Sequence, residues 1–235
     1  MSGESPAHPA ATVALPRDSD AGTEVLLVRR NSKLAFHGGA WVFPGGRIDP
    51  EDRDAAPTDD VRDAARFAAV REAFEEAGIR VEVSRLVLFS RWVTPSGLPK
   101  RFDAWFFAAE APRADVRVDG DEIEEHRWMR PGDALVAHQF GEIELPPPTF
   151  VTLTTFRDQR PVAEILARLR DEPLRSYVPR LHLLTGGGAC SLYEGDAGYD
   201  AGDPERAGPR HRLTMHEGGS WSYECTVDGL RFDLP

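Results

Sequence analysis

The amino-acid sequence predicts an α/β fold, and three observations support that prediction. Short apolar runs typical of strands flank a longer helical pattern that ends near Ala77. The chain has 235 residues, of which 41% are hydrophobic, so it can bury a sizeable core in one domain. The last sixty or so residues are instead rich in Gly and Asp. We therefore predict a main domain over residues 1–174 and a small β-rich extension over residues 175–235.

The strands of the main domain are predicted from apolar runs that turn-forming residues interrupt. The polar segment 17–22 is expected to be the turn between the first two strands. Strands are expected at residues 11–15, 24–30, 40–43, 81–93, 101–108 and 127–129. Shorter helices are expected at residues 132–138 and on both sides of Pro161 within residues 150–170.

The long helix is predicted to begin after Asp59 or Asp60, either of which is a good N-terminal cap. Gly78 is suited to the position just past the helix end. Apolar residues at helical spacing indicate the buried face, which comprises Phe67, Val70, Phe74 and Ala77. The helix is therefore expected to pack this face on the sheet and to present its acidic residues outward.

The extension is predicted to contain a β-hairpin. Residues 211–217 and 220–227 flank Gly218-Gly219, a dipeptide that favours a tight turn between strands. A further turn at 228–229 is expected to lead into a last strand at 230–234. The extension is expected to cover the substrate site, to pack on the core or to form a homodimer contact, and we favour the last two.

Three glutamates lie close together at the end of the long helix. Glu72, Glu75 and Glu76 occupy positions i, i+3 and i+4, so they share one helix face. Like charges at this spacing repel one another, and a divalent cation would remove that repulsion. Clustered carboxylates suit Mg²⁺ or Mn²⁺ better than Zn²⁺. The alternative is an ordinary solvated helix face.

A glycine-containing segment precedes the helix. Residues 41–48 form an apolar run that Pro44-Gly45-Gly46 interrupts, which predicts a strand that ends in a tight loop. Glycine allows a backbone to approach a phosphate or a metal ion closely. A glycine loop followed by a triple-acid helix therefore predicts a site for a pyrophosphate and a metal ion.

Residues 71–79 resemble the second half of the Nudix hydrolase pattern, G-x5-E-x7-R-E-U-x-E-E-x-G-U, where U is a bulky aliphatic residue. The first half begins at Gly46, but Gly46 and Arg71 are 25 positions apart where the pattern has 14. Eleven residues are thus inserted. Three acids remain candidates for the first Glu of the pattern, namely Asp49, Asp52 and Asp63. The resemblance implies an α/β/α sandwich with a mixed sheet between helices.

The segment before the glycines resembles a signature of coenzyme A-hydrolysing Nudix enzymes, LLTxRSxxxRxxxGxxxFPGG. Leu26, Leu27, Arg30, Gly39 and residues 43–46 match it. The second Arg of the signature is replaced by Ala35, and Arg29, Arg30 or Lys33 is expected to substitute for it as a phosphate ligand. Segments 91–95, 99–107 and 141–149 also resemble the coenzyme A diphosphatase branch, in which insertions in this pattern occur.

The resemblance implies hydrolysis of a pyrophosphate linkage in a small nucleotide with Mg²⁺ or Mn²⁺ as cofactor. Coenzyme A or an acyl-CoA is the leading substrate; the alternatives are NADH, ADP-ribose, a nucleoside triphosphate, or a non-catalytic nucleotide-binding module. Glu72, Glu75 and Glu76 would hold the metal ion, and Arg71 would orient a glutamate. The general base would be Glu122 in the acidic run 121–125, or an acid of the 71–79 segment. Expected substrate contacts are Arg30, His37, Gly45, Gly46, Arg91 and Arg101, with Lys100 and Phe102 beside them.

Charge and composition limit the partners and the location that we expect for the protein. The formal net charge of −11 argues against a non-specific surface for nucleic acid or anionic membrane. The two cysteines are too few for a disulfide framework, and no apolar run is long enough to span a bilayer. Since no secretory signal is visible either, a cytoplasmic location is expected.

Overall fold

Three β-sheets and five α-helices make up the part of the chain that the structure, a computed structural model, describes: residues 5–34, 37–158 and 161–227. The helices are α1 (Pro50–Ala55), α2 (Val61–Ala77), α3 (Pro131–Gln139), α4 (Pro147–Phe156) and α5 (Val162–Asp171). The strands of the main domain are β1 (His8–Ala14), β2 (Pro16–Ser19), β3 (Gly22–Arg30), β4 (Trp41–Val42), β5 (Gly45–Arg47), β6 (Val87–Val93), β7 (Phe102–Ala108) and β8 (Ile123–Met129). Those of the extension are β9 (Arg175–Tyr177), β10 (Arg180–Leu183), β11 (Gly188–Leu192), β12 (His211–His216) and β13 (Trp221–Cys225).

The central sheet is mixed. Its strand order is β5-β1-β7-β6-β9, with β1 parallel to β7 and β6 parallel to β9, while the other pairs are antiparallel. A second sheet has the order β2-β3-β4, and β8 also pairs with β3. The predicted turn at 17–22 is wrong in part, because residues 16–19 form β2, in which Arg17 pairs with Glu24 across the hairpin at 2.8 Å.

Helix α2 packs a face of small residues on the sheets. The predicted cap and end are confirmed, since the Asp60 side chain accepts from the Arg62 N–H and Gly78 is left-handed with φ 68°. The predicted apolar face is confirmed at Ala77, is only half-buried at Phe67 and Val70, and is wrong at Phe74. Phe74 is 43% exposed beneath the Arg80 guanidinium, and the buried residues are Ala64, Ala65, Ala68, Ala69, Ala73, Glu76 and Ala77.

The small size of alanine explains why the buried face of α2 differs from the predicted one. A row of small side chains lets the helix backbone lie close to β1 and β5, so this row rather than the larger residues forms the contact. The buried stripe includes one member of the acidic cluster, Glu76. The expectation that the glutamates all point outward is therefore wrong for Glu76.

The glycine segment is a strand rather than the predicted loop. Residues 45–47 form β5, which pairs antiparallel with β1 through the register Ala11↔Gly46 and Thr12↔Gly45. Neither Gly45 nor Gly46 has a positive φ. The helix α1, which the sequence did not indicate, follows β5 and leads into the inserted segment.

The extension shares a core with the main domain. Its first strand, β9, completes the central sheet, and β10 to β13 form a four-stranded antiparallel sheet. The hairpin at Gly218-Gly219 is confirmed, with φ 93° and 94° at the two glycines. Tyr193, Leu213 and Tyr223 pack in one apolar cluster with residues of α3, α4 and α5. The predicted strand at 230–234 lies outside the described residues.

The helices lie on both sides of the two sheets of the main domain. One apolar cluster joins α2 to β1 and β3, and the other joins α3, α4 and α5 to the opposite side and to the extension. This arrangement is the expected α/β/α sandwich. None of the helices in the described ranges is long and apolar enough to cross a membrane.

Candidate active site

The site is built where the last turns of α2 face strand β5. Glu72 and Glu76 lie one helical turn apart on this side of α2. The Gly45 N–H donates a hydrogen bond of 2.9 Å to Glu76 Oε2. Helix and strand are therefore joined directly through a carboxylate that the sequence predicted to be a metal ligand.

Close approach, rather than unusual backbone torsion, requires glycine at positions 45 and 46. A Cβ on Gly45 would lie 2.5 Å from the Ala11 carbonyl oxygen, and one on Gly46 would lie 2.5 Å from Cδ of Glu72. Any side chain at position 46 would thus displace the Glu72 carboxylate. Gly46 thus leaves the space in which Glu72 sits, whereas Gly45 allows β5 to lie close to β1.

Both carboxylates are removed from water, and burial raises their pKa values. Glu76 is only 3% exposed. Burial raises the pKa of Glu76 to about 8, partly offset by the hydrogen bond from Gly45. Burial also raises the pKa of Glu72 to about 7, against the attraction of Arg71. The two glutamates repel each other, so a cation between them would be stabilised.

Arg71 holds the acidic cluster together. Its guanidinium donates to Glu72 Oε1 at 2.9 Å and to Glu75 Oε2 at 2.8 Å. It also donates to both carboxylate oxygens of Asp52, at 3.1 and 2.9 Å, and to the Arg47 carbonyl at 2.9 Å. The expected pairing of Arg71 with a glutamate is present. The exposed Glu75 is directed toward Arg71 and is the least buried of the three acids.

Asp52 is the acid that occupies the position of the missing glutamate. It lies in α1, is 4% exposed, and accepts hydrogen bonds from Arg71 and from the Asp49 N–H. Of the other two candidates, Asp49 caps α1 and lies farther from Arg71, at 3.6 Å, and Asp63 accepts from the Thr58 hydroxyl. A count from the glycine end identifies Asp52 too, since it follows Gly46 by the six positions of the pattern. The insertion therefore follows Asp52.

Glu122 and Arg30 lie at the adjoining ends of β3 and β8. Arg30 is paired in register with Ile123, and the Asn31 N–H donates to the Glu122 carbonyl at 2.8 Å. The charge of Glu122 raises the pKa of both Glu72 and Glu76, whereas the charge of Arg30 lowers that of Glu76. Both side chains are therefore within electrostatic reach of the carboxylate pair.

The other predicted substrate contacts are His37, Arg91 and Arg101, and each has interactions outside the carboxylate pair. His37 has a positive φ of 52° and interacts electrostatically with Glu144 and Arg30, while burial lowers its pKa. Arg91 is bound by both carboxylate oxygens of Asp103, at 2.7 and 2.6 Å. Arg101 donates to the carbonyls of Thr94 and Ser5. The last two guanidinium groups thus have structural partners on the central sheet and the N-terminal segment.

The donor set fits a hard divalent cation. Within the described ranges, no group of three or more His, Cys, Asp or Glu side chains is arranged so that it could hold a metal ion. Carboxylate oxygens of Glu72 and Glu76 nevertheless lie in one buried, net negative site, where the nearest compensating charges are Arg71 and Arg30. Oxygen ligands of this kind suit Mg²⁺ and Mn²⁺.

Comparison with known proteins gives consistent matches. The NUDIX domain profile matches residues 6–147. The acyl-coenzyme A diphosphatase NUDT19 of Homo sapiens is 26% identical over 76% of this chain and 72% of its own. A nudix hydrolase of Caenorhabditis elegans is 25% identical over 55% of this chain, which spans about half (54%) of that protein. The crystal structure of a NUDIX hydrolase from Alicyclobacillus acidocaldarius has a TM-score of 0.64 and 25% identity, covering 72% of this chain and 99% of that one.

Proposed function

This chain belongs to the Nudix family, and from that membership we propose that it is a metal-dependent pyrophosphohydrolase whose substrate is coenzyme A or an acyl-CoA. One observation carries the reaction class. Two buried or half-buried carboxylates, Glu72 and Glu76, face the side-chain-free backbone of Gly45 and Gly46, and Gly45 N–H binds one of them at 2.9 Å.

Nudix hydrolases generally use divalent metal ions. Glu72 and Glu76 would hold such an ion, with Glu75 beside them. When bound, it would supply charge neutralisation of the pyrophosphate oxygens and a lowered pKa for a coordinated water. We propose Mg²⁺ or Mn²⁺ because every candidate ligand is a carboxylate.

The chain's own residues position this site and handle the proton. Asp52 and Arg71 keep Glu72 in place, since Arg71 contacts both acids. We assign Glu122 as the general base, because its charge acts on both carboxylates and its backbone is fixed to the end of β3. Arg30 is the cation best placed to bind a substrate phosphate near Glu76.

Two observations support coenzyme A as the substrate. The segment from Leu26 to Gly46 resembles the signature of coenzyme A-hydrolysing Nudix enzymes, and the human acyl-coenzyme A diphosphatase matches 76% of this chain. Ala35, where the signature has a second Arg, lies outside the described residues. Arg30 would take over that role, since Arg29 already pairs with Glu124 and Glu125.

A substrate screen tests the proposal. The purified protein is incubated with Mg²⁺ and coenzyme A, acyl-CoAs, NADH, ADP-ribose or nucleoside triphosphates, and the products are identified by mass spectrometry. We expect coenzyme A to yield 3′,5′-ADP and 4′-phosphopantetheine. Cleavage of another nucleotide alone would reject coenzyme A and keep the reaction class. No Mg²⁺- or Mn²⁺-dependent cleavage of any of them would favour a nucleotide-binding module.

A further inference from the structure

A second cleft lies at the junction of the main domain and the extension, apart from the carboxylate site. It has a volume of about 320 Å³, within the range of about 300–1,000 Å³ that is typical of small-molecule sites. We call it the distal cleft. Its lining includes Arg29, Trp41, His138, Glu142, Glu144 and Gly219.

The distal cleft is close to the carboxylate site along the chain. Trp41 in the cleft and Gly45, which binds Glu76, are four positions apart in the chain, a span of at most about 14 Å. Arg29 lines the cleft, and the neighbouring Arg30 acts on Glu76. A nucleotide with a long substituent can therefore reach both places.

His37 has a strained backbone conformation and interacts with groups of both places. It is the only non-glycine residue of the described ranges with a positive φ, and its charge interacts with Glu144, which lines the cleft, and with Arg30. Strained backbone that the surrounding structure maintains often occurs at ligand sites. The segment 37–39, of which Gly39 also lines the cleft, is therefore coupled to both places.

The wall that the extension contributes is held firmly in place. The Gln139 side chain donates to the Trp221 carbonyl at 2.7 Å and accepts from the Trp221 N–H at 3.0 Å. This reciprocal pair holds the turn containing Gly219 against α3. The cleft is therefore a preformed feature to which both parts of the chain contribute.

The polar groups of the cleft indicate the class of ligand. Glu142 and Glu144 are exposed acceptors, whereas Arg29 Nε and His138 Nε2 are buried atoms with no hydrogen-bond partner among the described residues. His138 Nδ1 accepts from the Leu145 N–H at 3.2 Å, so the ring proton of the neutral form is on Nε2. The two glutamates disfavour a phosphate. A neutral group with both donors and acceptors would satisfy this set.

We propose that the distal cleft binds the part of the substrate farthest from the pyrophosphate, through a neutral group that carries both hydrogen-bond donors and acceptors. Two sources have this chemistry in a coenzyme A-like molecule: the amides of its pantetheine arm and its adenine base. The inference rests on the proposed function, and it adds a role for residues 141–144 and for the extension.

Binding measurements test this without turnover. Dissociation constants for 4′-phosphopantetheine, which has amides but no base, and for AMP, which has a base but no amides, are measured by calorimetry. The proteins are the wild type, the double variant Glu142→Gln/Glu144→Gln and the control Glu82→Gln, which removes an exposed acid on another surface. We expect the double variant to bind one probe about 10-fold more weakly and the other unchanged. The affected probe identifies the source.

Equal dissociation constants in all three proteins would overturn the proposal, as would a loss of affinity that Glu82→Gln reproduces or a wild type that binds neither probe at millimolar concentration. The proposed function fails separately, because the hydrolysis screen scores cleavage products whereas neither probe contains a pyrophosphate.

Discussion

Two buried acids in different parts of the molecule are compensated in opposite ways. Glu76 on α2 is 3% exposed and accepts one hydrogen bond from the described residues, from the Gly45 N–H. Asp196 in the extension is 5% exposed and accepts from the N–H groups of Gly198 and His211 and from two nitrogens of Arg212, at 2.6–2.9 Å. Glu76 therefore has lone pairs left to bind a ligand, whereas both carboxylate oxygens of Asp196 already accept hydrogen bonds.

The pKa values differ accordingly. For Glu76, burial outweighs the single hydrogen bond and raises the pKa to about 8. For Asp196, burial acts in the same direction, but the hydrogen bonds from Arg212, His211 and Gly198 prevail and lower the pKa. A fully paired buried acid contributes to folding, whereas an underpaired one is suited to receive a ligand. Burial alone therefore does not distinguish a structural acid from a functional one.

The substitution Glu76→Gln should give the largest change in activity. Gln keeps the size of the side chain but removes the charge that would bind the metal ion, so kcat/KM with Mg²⁺ should fall by at least about 100-fold. The melting temperature of the metal-free protein should stay equal or rise, because Gln requires neither the burial of a charge nor the uptake of a proton on folding. Steady-state kinetics and thermal denaturation measure the two effects. Activity within a few-fold of the wild type would refute the metal assignment.

The substitution Asp196→Asn should lower stability and leave activity unchanged, the reverse of the effects expected for Glu76→Gln. Arg212, itself 7% exposed, would lose its charged partner, and breaking a buried pair costs about 3–5 kcal/mol in the free energy of unfolding. Activity per folded molecule should be unchanged. Urea unfolding measures the loss, with the exposed Asp200→Asn as the control. Equal stability of the two variants would show that Asp196 is not the structural acid described above.

The substitution Gly46→Ala tests the space around Glu72. The new Cβ would displace the Glu72 carboxylate, and a misplacement near 1 Å can lower activity by about 10- to 100-fold. Gly132→Ala is the matched control, since it adds a Cβ in open space without a positive φ. Kinetics on both variants measure the effect. Similar activities would indicate that Glu72 adapts without loss.

The pH dependence of stability should have opposite signs at the two acids. Glu76 has a folded pKa of about 8, above its ordinary value near 4.5, so the folded state holds the extra proton between these values. The metal-free wild type should therefore lose stability relative to Glu76→Gln as the pH rises through this window. Urea unfolding with a chelator from pH 5 to about 8 measures it. An unchanged difference would contradict the raised pKa.

At Asp196 the folded pKa is lowered, so the unfolded state binds the proton more readily. The stability that Asp196 contributes over Asp196→Asn should be fully present above the ordinary aspartate pKa and disappear as the pH falls through the lower folded value. Acid unfolding of the two proteins tests this. A difference that persists at the lowest pH would indicate that packing, rather than charge, is what the substitution disturbs.

Local sequence patterns were sufficient for much of the fold. The cap at Asp60, the left-handed Gly78 and the hairpin at Gly218-Gly219 all depend on a few neighbouring residues, and each is confirmed. The buried face of α2 is a different case. Hydrophobicity favours Phe67 and Phe74, but the distance between helix and sheet selects alanine, and that distance is a property of the assembled layers.

The candidate site, like the fold, was predictable from the sequence only in part. The spacing of Glu72, Glu75 and Glu76 and the resemblance to the Nudix pattern could be read from the chain itself, because both are local. Three matters needed the tertiary structure: that Asp52 rather than Asp63 bonds to Arg71, that Glu76 is buried, and that Gly46 leaves room for Glu72. Each depends on contacts between segments that are distant in sequence. The sequence alone thus determined the kind of chemistry, and packing decided which carboxylate is left with unused bonding capacity.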